Sequence, residues 1–159
     1  MSSTLIIVPV EKLQKEIDLT LKIFKKNPGV YVSLDKTYKN IESILRKKRI
    51  NIDQLFFIDV VTSKKKNREV LSIYPDRLDL LIFAINSFIK EIKGEKFILI
   101  DALSTLLIYN NENKVAKFVK ELTDYTSKND IEVIAISPKT KEKELLEKIF
   151  HFFDEVKKR

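Results

Sequence analysis

The sequence predicts a three-layer α/β domain on a mostly parallel sheet, and three observations carry that expectation. First, five short runs are almost continuously apolar: TLIIV (4–8), VYVSL (30–34), QLFFIDVV (54–61), KFILI (96–100) and IEVIAIS (131–137). Strands buried on both faces read this way, whereas half-exposed strands alternate. Second, segments with apolar residues at helical spacing lie between these runs, the alternation of a parallel α/β sheet. Third, no repeat, low-complexity block or linker interrupts the alternation, so one domain over residues 1–159 is expected.

The elements follow in order. Pro9 suits the first turn of a helix. Leu13, Ile17, Leu21 and Phe24 keep one face through Lys26, and Asn27-Pro28-Gly29 stops it. Residues 36–48 place Ile41, Ile44 and Leu45 together as a second helix. TSKKKNR (62–68) is a polar, basic loop, and EVLSIY (69–74) is either a short strand or an extended lead-in. A helix is expected from Pro75, with Asp76 as N-cap and Gly94 as its stop. Residues 113–129 turn Val115, Phe118, Val119 and Leu122 inward. Residues 141–158 are expected to close the chain as a helix after the fifth core strand.

Composition narrows the function classes. Hydrophobic residues make up 44% and charged residues 33%, the balance of a folded soluble chain rather than a disordered one. No apolar run approaches the roughly 20 residues that cross a bilayer. The first residues lack the basic lead and apolar centre of a signal peptide. There is no cysteine, which excludes disulfides, thiolate catalysis and cysteine zinc sites. A cytoplasmic protein with no membrane partner is expected. The formal charge is +7, compatible with an anionic partner or simply with abundant lysine.

A ligand site in such a sheet lies at the carboxyl ends of its strands. The residues leaving the strands are Val8-Pro9, Leu34-Asp35, Ile58-Asp59, Ile100-Asp101 and Ser137-Pro138. FILIDALSTLL (97–107) resembles the Walker B strand of RecA/KaiC-like P-loop ATPases, in particular the short archaeal KaiC-like proteins. YPDRLDLLIFAINSFIKEI (74–92) is similar to the helix preceding that strand. GVYVSLDKT (29–37) is similar to the strand whose end carries the family's catalytic acid, and EVIAIS (132–137) to the next core strand. The likeness spans about residues 4–137. It implies a five-stranded core in spatial order 3-2-4-5-1, helices on both faces, and a chain truncated before three further strands typical of that sheet.

The resemblance breaks at the first element. The family places G-x-x-x-x-G-K-[ST] after its first strand, because glycines let backbone N–H groups close around phosphates. This chain has VPVEKLQKEI (8–17) there. Pro9 and Gln14 fall on the glycines, Lys15 on the lysine and Glu16 on the magnesium-binding hydroxyl. Pro9 has no N–H to offer, and Glu11 and Glu16 would repel phosphate. Neither of the two glycines, Gly29 and Gly94, lies in the segment. Asp101 holds the Walker B-like position without its phosphate loop. Asp35 stands near the catalytic glutamate, with Lys36 where a second glutamate is common. Both acids have a plainer alternative as caps, Asp35 with Ser33 on the next helix and Asp101 on the turn at Ala102–Ser104.

The expectation is a non-catalytic RecA/KaiC-like domain, a degenerate P-loop relative without cofactor or metal. Its natural partner is a protein, either itself or an active RecA/KaiC-like ATPase, met at the carboxyl edge and the last, aromatic helix. One alternative is an ATP-binding protein or weak ATPase using Lys12, Lys15, Asp35 and Asp101 with magnesium. The other is a nucleic-acid-binding module using Arg46, Lys47, Lys48 and Arg49 with Lys64, Lys65, Lys66 and Arg68. His151, the single histidine, is expected to be a packed or half-exposed aromatic among Phe150, Phe152 and Phe153.

Overall fold

A computed structural model describes residues 2–60, 71–139 and 147–159. The five apolar runs become β1 (Ser3–Val8), β2 (Gly29–Ser33), β3 (Leu55–Val60), β5 (Phe97–Asp101) and β6 (Glu132–Pro138). Two more strands flank them, β4 (Leu71–Ile73) and β7 (Glu155–Lys158). The helices are α1 (Leu13–Ile23), α2 (Tyr38–Lys47), α3 (Leu78–Glu91), the short α4 (Leu106–Tyr109) and α5 (Glu112–Lys128). The sheet runs β4-β3-β2-β5-β6-β1-β7, and its pairings are parallel. Counted on the five expected strands, the inner order is the 3-2-4-5-1 that the resemblance implies. Among the described residues the sheet has seven strands, not five.

Alternation along the strands divides the core into two layers. On one face, Val30, Val32, Ile58, Ile98 and Ile100 meet Leu81, Ile85 and Ile89 of α3 and Val115, Phe118, Val119 and Leu122 of α5. On the other, Tyr31, Phe57, Phe97 and Leu99 meet Ile17 and Leu21 of α1 and Ile41 and Leu45 of α2. Gly29 opens β2 beside Phe97 in register. A Cβ there would lie 2.4 Å from Phe97 Cε1, so glycine makes room for the ring, which Phe24 stacks upon at 4.8 Å. Gly94 has φ 81 in the turn into β5, a conformation that side chains disfavour.

The end of the chain corrects the sequence reading. Residues 147–149 are helical and Phe150–Phe152 form a 3-10 turn, but Glu155–Lys158 form a strand. The reason lies in β1, whose six residues are all buried and whose outer edge would otherwise expose its peptide groups. β7 pairs with Thr4–Ile7. The Ser3 N–H donates to Asp154 Oδ2 (2.9 Å), the Asp154 N–H to Ser3 Oγ (3.0 Å) and the Arg159 N–H to the Ile7 carbonyl (2.9 Å). Ile149 and Phe153 are buried in the α3/α5 layer, and Phe150 and Phe152 pack against it. The aromatic segment is thus largely internal. His151 is exposed, its ring 4.1 Å from that of Phe152. Among the described residues no helix is long and apolar enough to cross a membrane.

Candidate functional site

Strand register assembles the polar row. Ser33 aligns with Asp59 of β3 on one side and with Asp101 of β5 on the other. Aligned residues of parallel strands share a face, so these three stand side by side at the carboxyl ends, on the α1/α2 face. All three are buried.

Asp101 is fully buried, at 0% exposure. Its Oδ2 accepts from the Tyr31 hydroxyl (2.8 Å), while Oδ1 has no hydrogen-bond partner. Burial raises the Asp101 carboxyl above the usual carboxylate range, more than the Tyr31 hydrogen bond and the Lys36 charge lower it. Burial, with the Asp101 charge next, holds the Tyr31 phenol well above its ordinary value. Asp59 also leaves Oδ1 without a partner, and its Oδ2 accepts from the Tyr38 N–H (3.3 Å). Burial pushes this carboxyl up as well.

Between the two acids, Ser33 closes a turn by accepting from the Lys36 N–H (3.3 Å) and donating to the Lys36 carbonyl. Lys36 Nζ donates to Gln14 Oε1 on α1. Gln14 Nε2 donates to Asp18 Oδ1 (2.9 Å), and Asp18 Oδ2 pairs with Lys48. A polar chain therefore links the β2–α2 turn, the start of α1 and the end of α2.

Where a phosphate loop would stand, β1 passes into α1 through Pro9 and one 3-10 turn, Val10–Lys12. Pro9 is extended (φ −56, ψ 145), and its carbonyl accepts from the Lys12 N–H (2.9 Å). Glu16, in the first turn of α1, is ion-paired with Arg159 (3.0 Å).

Asp35 and Asp101 come to the same edge, but Asp35 is exposed and accepts from the Thr105 hydroxyl, while Asp101 is sealed. Lys12 and Lys15 are exposed. Neither acid is a helix cap. Thr37 caps α2, accepting from the Asn40 N–H (3.4 Å), and the turn after Asp101 has no side-chain cap. Arg46 pairs with Glu42 (3.1 Å) and Lys48 with Asp18, while Lys47 and Arg49 are exposed. Lys64, Lys65, Lys66 and Arg68 lie outside the described residues. Among the described residues no group of three or more His, Cys, Asp or Glu side chains is placed to hold a metal ion.

Sequence reasoning missed Tyr31, Gln14 and Asp18 as members of the site. Tyr31 stands two residues before Ser33 and so shares its face. That period was the available signal once β2 and β5 were set side by side.

Residues 11–150 match the family described as Protein of unknown function (DUF835). The chain belongs to this family. No curated protein matches it. Among solved structures, this DUF835 chain is similar to the crystal structure of a KaiC-like protein from the hyperthermophilic archaeon Pyrococcus horikoshii OT3. The TM-score is 0.66 at 11% identity, over 87% of this chain and 61% of that one. At such identity the likeness is one of fold, a RecA/KaiC-like parallel sheet with helices on both sides. The DUF835 chain spans about three-fifths of that protein's length.

Proposed function

We propose that this DUF835 domain is a non-catalytic RecA/KaiC-type unit that binds a protein, either another copy or an active RecA/KaiC-like ATPase. One observation carries the reading: the tight Pro9–Lys12 turn between β1 and α1. A phosphate cradle needs several backbone N–H groups converging on one point. Here Pro9 contributes none and the Lys12 N–H is spent on the Pro9 carbonyl. The residues do not fit a magnesium-bound nucleotide in other respects. Glu16 brings a carboxylate to the first turn of α1 and is paired with Arg159. Asp101, the acid that would reach the metal, has no exposed surface.

The protein-binding half of the reading rests on what the carboxyl edge offers instead. Val10 is 65% exposed, Tyr74 55%, Ile108 73% and Tyr109 46%. The Asn110 side chain donates to the Pro75 carbonyl (2.9 Å), tying the end of α4 to the start of α3 and keeping Tyr74 and Tyr109 on linked segments. Large exposed apolar side chains at this end of the sheet support a protein contact there.

The test is a thermal titration with ATP and magnesium beside a P-loop control. A nucleotide at 100 times its Kd would add about 2.7 kcal/mol of stability. No shift is expected at millimolar nucleotide. A magnesium-dependent shift would replace this reading with ATP binding near Lys12, Lys15, Asp35 and Asp101. The partner half is checked by sedimentation of the wild type and of Ile108→Asp with Tyr109→Ser. Self-association, or binding to a RecA/KaiC-like ATPase, is expected to be lost in the variant.

A further inference from the structure

Charge is not shared evenly between the two faces of the sheet. Residues 9–26 and 36–53, which hold α1 and α2, carry eleven lysines and arginines against five acids. Residues 74–95 and 106–130, which hold α3, α4 and α5, carry seven against eight. A net +6 therefore goes with the α1/α2 layer and a net −1 with the other. Most of the five acids are already engaged. Asp18 is buried and pairs with Lys48, Glu16 pairs with Arg159 and Glu42 with Arg46. Lys12, Lys15, Lys22, Lys25, Lys26 and Lys47 are exposed and have no ion pair among the described residues.

Helix stability explains part of this pattern. Cations in the last turn complement the macrodipole, which covers Lys22 on α1 and Arg46 and Lys47 on α2. Lys15 and Lys39 lie in first turns, where a positive charge is unfavourable. Topology then gathers the charges. α1 and α2 each connect parallel strands, so both run back and finish at the amino edge of the sheet. There α1 leads to Gly29 and α2 to Leu55, which are register neighbours. Lys25 and Asn27 line one small cleft with Asn51 and Gln54, so the two helix ends share a surface. Lys22, Lys25 and Lys26 thus meet Lys47, Lys48 and Arg49 at one edge.

We propose that this edge, with the outer sides of α1 and α2, binds the phosphate backbone of a nucleic-acid duplex without reading its sequence. Unpaired cations gathered on one surface are the footprint of a polyanion. The aromatic residues select a duplex over a single strand. Phe24, Tyr31, Tyr38, Phe57 and Phe97 of this layer are buried or half-buried and pack ring against ring, which leaves no platform for bases. The helix surfaces select nucleic acid over lipid. The exposed residues of α2 are all polar, Asn40 and Ser43 among them, and on α1 only Leu19 and Ile23 are exposed and apolar. A helix that lies in a bilayer surface buries a whole apolar face. Asn and Ser side chains instead bond phosphate and sugar oxygens, which position a duplex. The contact lies at the opposite edge from Val10 and Tyr109 and does not depend on the protein contact proposed there.

The test is fluorescence anisotropy of labelled DNA and RNA duplexes of about 20 base pairs, titrated with the full chain over a range of salt. A Kd of about 1–100 µM is expected near physiological salt, with log Kobs falling by about 4–5 per decade of salt, as about five phosphate contacts require. Lys22→Gln, Lys25→Gln, Lys26→Gln and Lys47→Gln together are expected to weaken binding at least about tenfold and to flatten that slope by about 3–4. Lys114→Gln, Lys117→Gln, Lys120→Gln and Lys128→Gln together remove the same net charge from α5. They are expected to change affinity less than about threefold. Should the first variant not fold, Lys22→Gln with Lys47→Gln takes its place, with the slope flatter by about 2. Equal losses from the two faces would overturn the proposal, as would no binding at about 50 mM salt. Tighter binding to the single strand would overturn it too, as would tighter binding to phosphatidylserine vesicles at equal phosphate.

Discussion

The layer under α3 and α5 and the layer under α1 and α2 are built from alternate residues of the same inner strands, yet they finish differently at the carboxyl edge. On the α3/α5 side the strand residues stay apolar to their ends, through Val32, Val60 and Ile100, with Leu34 just beyond. On the α1/α2 side the apolar residues stop one step short, and Ser33, Asp59 and Asp101 take the last positions. One face is therefore held by packing alone. The other combines packing with a polar lid whose acids are short of partners. Stability on the first face should be nearly blind to pH, and on the second it should not.

The largest expected effect tests the packed face. Ile85→Ala, at a fully buried position of α3, should cost about 2–5 kcal/mol in urea denaturation, equally at pH 5 and pH 7. On the other face, Gly29→Ala drives a methyl into the Phe97 ring and should cost about 1–3 kcal/mol. Tyr31→Phe removes the hydroxyl that serves Asp101 and leaves both oxygens of a buried carboxyl unpaired, at a cost of about 1–3 kcal/mol. A loss of only a few tenths there would mean that the polar lid contributes little.

The pH arm has a definite sign. Burial raises Asp101 above its ordinary 3.8, so the folded state binds the proton more tightly than the unfolded state. Between the ordinary and the raised value, stability falls as pH rises. Asp59 adds to the same slope. Asp101→Asn should flatten the wild-type gain on acidification from neutral pH, read as the difference between the two pH–stability curves. A parallel pair of curves would show that Asp101 is not the source. The smallest effect is expected from Arg159→Ala. It breaks a half-exposed pair with Glu16 and should cost less than about 1 kcal/mol, less again at high salt.

The parts of the fold that were legible in the sequence share one property: their signal is local. TLIIV, KFILI and IEVIAIS announce strands by themselves, and Asp101 was singled out because an acid directly follows an apolar run. What was missed is non-local. Glu155–Lys158 carries no apolar run and became a strand because β1, about 150 residues earlier, left an edge to cover. Tyr31 meets Asp101 across 70 residues of chain, a pairing visible only through register. The helix cap after β2 fell to Thr37 because Ser33 was engaged in its turn and Asp35 with Thr105. Candidate residues were thus easier to name than their partners.

The pairing of β1 with β7 has a temporal side. The residues that cover the edge of residues 4–7 are synthesised about 150 positions after them. At 5–20 residues per second, that interval is roughly 8–30 s. For that time the flank of β1 that β7 will cover is open to any other nascent strand. Contacts this distant also slow folding once synthesis is complete. The strand that covers the outer edge of β1 is thus made long after β1 itself.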